Sequence, residues 1–412
     1  MKFLYNILLL KAAILLPIIA LFNKKIKLFY NGRKETFNKL ATITKTDKVI
    51  WFHAASLGEF EQGRPIIEEL KQQYKNHKII VTFFSPSGYE IRKNYALADV
   101  ICYLPLDTTA NVKKFIQKIH PEIAIIIKYE FWPNLLSELK KQQIKTILIS
   151  GIFRKKQSFF KWHGGFMRDK LTAFNHFFVQ NEASKKLLNS INFKNITVAG
   201  DTRFDRVYDI LNQDNSLDFI SNFKQNNYTV VAGSTWKEDE ELLIDYINNH
   251  SSKNEKFIIA PHNIHPKQIK ELQKSIHKKT VLFSEKETEN LSEKQVFIID
   301  TIGLLTKIYS YADVAYVGGG LATGLHNILE PATFGIPIVF GGNKYKKFKE
   351  ATDLLDLDSV TIVTKNEEFS SIFTALKNNS DLRTKQGNIN KKYIKDNLGA
   401  TEKIMDYLKK TL

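Results

Sequence analysis

The stretch Gly318–Gly342, GGGLATGLHNILEPATFGIPIVFGG, decides how this chain is read. It follows Ala312-Asp313-Val314-Ala315-Tyr316-Val317, which reads as a buried strand, and it opens on three glycines where that strand should stop. With no Cβ at Gly318, Gly319 and Gly320, backbone at the strand's C-terminal edge can come close to a ligand. His326-Asn327-Ile328-Leu329-Glu330-Pro331 then reads as the entry to a helix. A helix N-terminus carries unpaired N–H groups and roughly half a positive charge, which suits a phosphate, while a carboxylate such as Glu330 suits the vicinal hydroxyls of a ribose. These features alone fit a nucleotide-sugar site and equally a glycine-rich strand-to-helix turn.

Working outward, the same alternation runs through most of the chain. VIWFHAAS, KIIVTFFS, DVICYLP, EIAIIIK, KTILISG and FNHFFVQN read as strands, most of them separated by segments of helical length, the pattern of a parallel sheet covered on both faces. After a polar stretch, NQDNSLDFISNFKQNN, a second series follows with YTVVAGS, KFIIAPH, TVLFS, QVFIID, DVAYVGG and PIVFGG. The expected architecture is α/β, with two Rossmann-like domains facing across a cleft, since open α/β sheets bind ligands beyond their C-terminal strand ends. The expected organisation is a membrane anchor over 1–30, a first domain over 31–206, a linker over 207–227, a second domain over 228–398 and a closing helix over 399–412.

The 412 residues suffice for two domains with their own cores, and 43% hydrophobic with 25% charged residues excludes wholesale disorder. A formal charge of +17 favours phosphate-bearing partners, although much of it is Lys spread along helical segments, such as Lys344, Lys346 and Lys347, as on any solvated basic surface. The single cysteine, Cys102, excludes an intramolecular disulfide and any multi-Cys zinc site. Phe3–Phe22 is apolar and about long enough to cross a bilayer, with Lys11 as its one charge. No small-x-small cleavage site follows it, so it reads as an uncleaved anchor or as a helix lying in the interface. Lys24, Lys25, Lys27 and Arg33 follow at once and keep that flank cytoplasmic, so the body should face the cytoplasm at the membrane surface.

The chemistry-bearing residues cluster at strand ends. Glu59, in His53-Ala54-Ala55-Ser56-Leu57-Gly58-Glu59-Phe60, could take a proton from an acceptor hydroxyl or could merely complement a helix dipole. Glu130 stands in the same situation in Lys128-Tyr129-Glu130-Phe131-Trp132-Pro133-Asn134. Gly233-Ser234-Thr235 precedes a helix that opens on Glu238, Asp239, Glu240 and Glu241, which fits a phosphate seat or simple capping by Ser234 or Thr235. Pro261 and His262 mark another strand end. No His or carboxylate cluster has metal-ligand spacing, so no metal is expected.

Taken together, HAASLGEFEQGRPIIEEL, YEFWPNLL, GDTRFDRV, AGSTWKEDEEL and GLHNILEPATFGIPIVFG occur in an order and spacing that resemble the 3-deoxy-D-manno-octulosonate (Kdo) transferases of lipopolysaccharide synthesis, from about Trp51 to the C-terminus. The resemblance implies a glycosyltransferase-B fold, CMP-Kdo as donor, a lipid A precursor (lipid IVA) as acceptor, no separate cofactor, and attachment to the cytoplasmic membrane leaflet. It implies Glu59 as catalytic base and Glu130 as a second important acid, with Ser234, Thr235, Asn327 and Glu330 around the CMP moiety. Pro261, His262, Gly319, Gly320 and, for charge on departing CMP, Arg203 complete the expected donor contacts. APHNIHP replaces the family's Arg-His-Pro sequence, and SGIFRKKQSFF an Asn-Ala-Arg-centred segment, so His262 and Arg154 stand where the pattern departs. Competing readings are another glycosyltransferase-B enzyme or nucleotide-sugar epimerase, which needs no lipid anchor, and a membrane-surface protein without catalysis. A nucleic-acid binder would need basic stretches interleaved with aromatics, and Phe159–Phe166, FFKWHGGF, is the only one, so no nucleic-acid partner is expected.

Overall fold

The structure is a computed structural model that describes residues 1–412. The chain divides into two compact units, Met1–Asp205 with Leu398–Leu412, and Arg206–Asn397.

The first unit holds strands β1 (Lys48–Ala54), β2 (His77–Phe83), β3 (Val100–Tyr103), β4 (Ile123–Ile127), β5 (Lys145–Gly151), β6 (His176–Val179) and β7 (Ile196–Val198). They form one parallel sheet in the order β3-β2-β1-β4-β5-β6-β7. Both faces are covered, which is why the strands are continuously apolar: Val49 and Trp51 point into one core, Ile50, Phe52 and Ala54 into the other. Helices Leu57–Gln73 and Ala400–Lys409 cover the second face, where Ala400, Ile404, Met405 and Leu408 are buried. The last segment therefore returns to the first unit, and Asp205 fixes it by accepting from the backbone N–H groups of Gly399 and Thr401. Ahead of β1, the long helix α1 (Lys2–Phe22) turns at Asn23 into α2 (Lys24–Lys34). α1 is the one helix long and apolar enough to cross a membrane.

The second unit holds β8 (Tyr228–Thr235), β9 (Glu255–Pro261), β10 (Thr280–Leu282), β11 (Val296–Ile298), β12 (Val314–Val317), β13 (Ile338–Gly341) and β14 (Val360–Val363). Their parallel sheet has the order β10-β11-β9-β8-β12-β13-β14. The stretch expected as a linker, 207–227, is folded: it includes the helix Asp218–Lys224, whose Ile220 and Phe223 are fully buried in this unit's core. Its polar composition hides a one-sided apolar pattern.

Each sheet reverses its winding once, in the first between β1 and β4 and in the second between β8 and β12. At such a reversal the two connecting loops leave the C-terminal strand ends in opposite directions and leave a crevice between them. The loops at the first reversal carry Glu59 and Glu130; those at the second carry Ser234–Trp236 and Gly318–Gly320.

Candidate active site

At the first reversal, helix Leu57–Gln73 starts two residues after β1, with Ser56 as its N-cap. Glu59 folds back so that its Oε2 accepts from the Ala55 N–H at 2.6 Å. The dipole-complementing role is thus real and occupies one oxygen, while Oε1 receives no hydrogen bond from the protein. Glu59 is only 9% exposed. Burial, reinforced by the neighbouring charge of Glu130, raises its pKa above the ordinary Glu value, against the Ala55 N–H, Lys128 and His53.

Glu130 follows β4 and is also buried; its Oε2 accepts from the Trp132 indole N–H at 2.7 Å and lies 3.1 Å from His53 Nε2. His53 is inaccessible to solvent, and its Nδ1 lies 2.9 Å from Thr82 Oγ1, which also accepts from the Trp51 indole. Trp132 stacks on Phe84 with ring centroids 4.7 Å apart. The Glu130 carboxylate is therefore held in one orientation by residues from three strand ends. Lys128, at φ 69°, takes a backbone conformation that costs a non-glycine residue about 1–3 kcal/mol and gathers at functional sites. Arg154 lies over the Tyr129 ring, 5.3 Å from its centre.

Arg203 belongs to this first unit. Its Nε and Nη2 donate to Asp201 Oδ2 at 3.0 and 2.8 Å, and Gln62 of the Leu57–Gln73 helix donates to the same oxygen at 3.1 Å. Burial opposes ionisation of Asp201, but the Arg203 guanidinium outweighs it and holds the carboxyl below its usual range. Sequence reasoning quoted His53, Lys128, Trp132 and Asp201 inside its motifs but gave them no role, because what each one touches is set by residues distant in the chain.

At the second reversal the glycines serve the chain itself. A Cβ on Gly318 would lie 2.4 Å from the Ser234 carbonyl oxygen, and one on Gly320 would lie 2.1 Å from that of Gly341. Gly319, at φ 92°, donates its N–H to Asp239 at 2.8 Å. The expected close approach to a ligand is thus an approach of the loop to β8 and β13. The helix after the glycines also starts later than expected, at Leu329, and spans only Leu329–Thr333. Ile328 is its N-cap, and Asn327 just before it accepts from the Leu329 N–H at 3.1 Å and donates to Glu330 Oε1 at 3.0 Å. Glu330 Oε2 accepts from Thr306 at 2.8 Å. A carboxylate offers about four acceptor sites, so Glu330 is oriented without being saturated.

The other expected phosphate seat carries its own anions. Helix Lys237–Asn249 opens on Glu238, Asp239 and Glu240; Asp239 accepts from the Trp236 N–H at 3.0 Å, and the Thr235 hydroxyl is spent on Glu240 at 3.0 Å. The cavity of about 450 Å³ beside that turn is lined by four carboxylates, Glu238, Glu240, Glu241 and Glu271, against one cation, Lys237, a balance unfavourable to phosphate. Ser234, at φ 55°, is the strained counterpart of Lys128. Positive charge reaches this reversal from elsewhere: Lys344 Nζ donates to the Ala322 carbonyl, and a Cβ on Gly324 would lie 3.3 Å from Lys347 Nζ. The lysines after β13 therefore cover the glycine loop, whereas sequence reading placed them on a general basic surface.

His262 stacks on Trp236 at 4.6 Å and packs at a tilt against His326, also at 4.6 Å. The Trp236 indole donates to His326 Nε2 at 3.1 Å. An indole N–H only donates, so His326 must be neutral with its proton on Nδ1. Burial, with His262 adding to it, lowers its pKa to about 4, in agreement.

Residues 31–206 match the family described as 3-Deoxy-D-manno-octulosonic-acid transferase (kdotransferase). The 3-deoxy-D-manno-octulosonic acid transferase of Haemophilus influenzae is 25% identical over 373 residues, 87% of this chain and 86% of that protein. The transferase of Chlamydia trachomatis serovar A is 25% identical over 93% of this chain and 92% of its own. Among solved structures, Neisseria meningitidis UDP-GlcNAc 2-epimerase aligns with a TM-score of 0.59 at 17% identity, covering 88% of this chain and 100% of its own. Acinetobacter baumannii MurG aligns with a TM-score of 0.55 at 13% identity, covering 88% and 99%. These two show the fold, the glycosyltransferase-B architecture. The family match over the first unit, together with relatives that are similar through both units, makes the 3-deoxy-D-manno-octulosonic acid transferases the proteins this chain resembles along its length.

Proposed function

We propose that this enzyme moves Kdo from CMP-Kdo to a lipid A precursor, lipid IVA, at the cytoplasmic face of the inner membrane, with inversion and without a metal. The observation that carries the reading is the Glu59 carboxylate: buried, tethered through one oxygen, with the other open and its proton affinity raised. A general base works best when its pKa approaches the operating pH, and burial moves Glu59 that way. The open oxygen takes the proton of the acceptor hydroxyl as that oxygen attacks the anomeric carbon and CMP leaves from the opposite face. Glu130, locked by His53 and Trp132, fixes the field in which Glu59 titrates. Lys128 adds positive charge beside Glu59, and Arg203, paired with Asp201, meets the charge on departing CMP.

In the second unit, Glu330 takes the ribose hydroxyls and the lysines after β13 take anionic groups of the donor. Ser234, Thr235, Pro261, His262, Gly319, Gly320 and Asn327 contribute by shaping the loops rather than by supplying free helix N–H groups. The same fold serves epimerases, but those have no use for the apolar α1. Calorimetric titration separates the two readings: CMP should bind at least tenfold more tightly than UDP. Tighter binding of UDP would return the chain to the epimerase-like alternative.

A further inference from the structure

α1 spans 21 residues, about 31 Å at 1.5 Å per residue, enough to cross a hydrocarbon core of about 30 Å. Length alone therefore permits a span, and the contacts of the helix decide otherwise. At its start, the Tyr5 hydroxyl donates to Asp107 Oδ2 at 2.8 Å, and Asn134 Nδ2 donates to Asn6 Oδ1 at 2.7 Å. Asp107 is 4% exposed and also accepts from the Asn134 and Leu135 N–H groups at 2.9 and 2.8 Å, so it is part of the folded body. At its other end, α1 turns at Asn23 into α2, and Arg33 of α2 donates to the Phe84 carbonyl at 2.8 Å. Both ends are thus tied to the same unit.

Coverage along the helix agrees. Tyr5, Asn6, Leu9, Ala13, Leu16, Pro17 and Ala20 are the covered or half-covered positions, spaced by three or four residues along nearly the whole length. The opposite side carries Phe3 and Leu21, each 78% exposed, Ile14 at 64% and Phe22 at 86%. A helix crossing a bilayer away from its domain would not keep one face on protein from its first turn to its last.

We infer that α1 does not cross the membrane: it lies in the plane of one leaflet, its apolar side in the acyl region and its first turn clamped to the 130–134 segment that carries Glu130. The occupant of the exposed face is the hydrocarbon of the cytoplasmic leaflet, and Lys24, Lys25 and Lys27 beside it match anionic headgroups. This rests on the membrane-surface transferase reading, and its topology is measured without any transfer reaction.

The test uses the full chain in membranes, with Lys2→Cys and, separately, Lys25→Cys as reporters. The native Cys102 is buried, with its thiol pushed up to about 12, so it gives no background. A membrane-impermeant maleimide should label both positions in inside-out vesicles and neither in intact spheroplasts. Labelling of position 2 from the spheroplast exterior would show a span and overturn the inference. Labelling of position 2 only after detergent would put the first turn inside the bilayer, away from Asp107, and would overturn it as well. Loss of Kdo transfer with the expected labelling would instead count against the proposed reaction alone.

Discussion

Replacing Glu59 by Gln separates its two roles. Gln keeps the length and shape of the side chain, and its amide oxygen can still accept from the Ala55 N–H that Glu59 Oε2 now holds at 2.6 Å. The bond weakens from charge-assisted to neutral, a loss of about 1 kcal/mol. Against that, the variant no longer buries a carboxylate beside Glu130. The sign follows from the raised pKa: the folded chain holds the Glu59 proton more tightly than the unfolded chain, so this group's contribution is full below the unfolded value and is lost as pH rises through the folded one. Glu59→Gln should therefore be folded at pH 7.5, with a melting temperature at or above that of the wild type, and any advantage should shrink as pH falls below the carboxylate range. Turnover should behave in the opposite way. General-base catalysis is worth roughly 10²–10⁴-fold, about 2.7–5.4 kcal/mol at 1.36 kcal/mol per decade, and the Gln amide has no basic lone pair to replace it. Initial rates of CMP release with lipid acceptor, compared with calorimetric CMP affinity, should show kcat reduced by that factor with Kd for CMP unchanged. A well-folded variant within threefold of wild-type turnover would refute the base assignment and leave Glu59 as a helix-capping carboxylate.

The pH profile extends the same reasoning. Glu130→Gln keeps an oxygen for His53 and Trp132 but removes a like charge, so the acid limb of kcat/KM should move to lower pH; an unchanged limb would mean that the carboxylates are not coupled. Glu330→Ala should raise the KM for CMP-Kdo with lipid affinity little changed, as CMP titrations would report. Because His326 loses its proton well below the ordinary His value, stability should be full above about pH 6.5 and should fall toward pH 4 as protonation displaces the Trp236 N–H; thermal melts should show the decline, and His326→Phe should flatten it. Reversing charge at Lys155, Lys156 and Lys161, which flank the 92% exposed Trp162, should weaken cosedimentation with anionic vesicles and spare neutral ones; equal loss on both would make this loop a structural element only.

The architecture was legible because buried parallel strands are written as unbroken apolar runs, and twelve of them were read directly. The exceptions, β7 and β14, are short edge strands whose residues are mostly half-exposed, and so carry no such run. The stretch 207–227 looked like a linker because its buried residues, Val207, Ile210, Ile220 and Phe223, are diluted among Asn, Gln and Asp. In the first unit the candidate carboxylates were visible at strand ends, but the constraint on them was not: His53 and Glu130 are 77 residues apart, and only the sheet order brings β1 beside β4. In the second unit the glycines signalled close approach correctly without revealing what approaches. There the loop packs on backbone, and the helix starts only at Leu329, where the Asn327 side chain ahead of it bonds the Leu329 N–H locally instead of joining the helix.

The most direct measurement is mass spectrometry of the lipid after the purified full-length enzyme is incubated with CMP-Kdo and tetraacylated lipid A precursor, with a chelator present and Glu59→Gln in parallel. The account predicts lipid carrying one or more added Kdo residues, undiminished by chelation and reduced at least a hundredfold in the variant. Unmodified lipid, with CMP-Kdo either intact or merely hydrolysed, would contradict it.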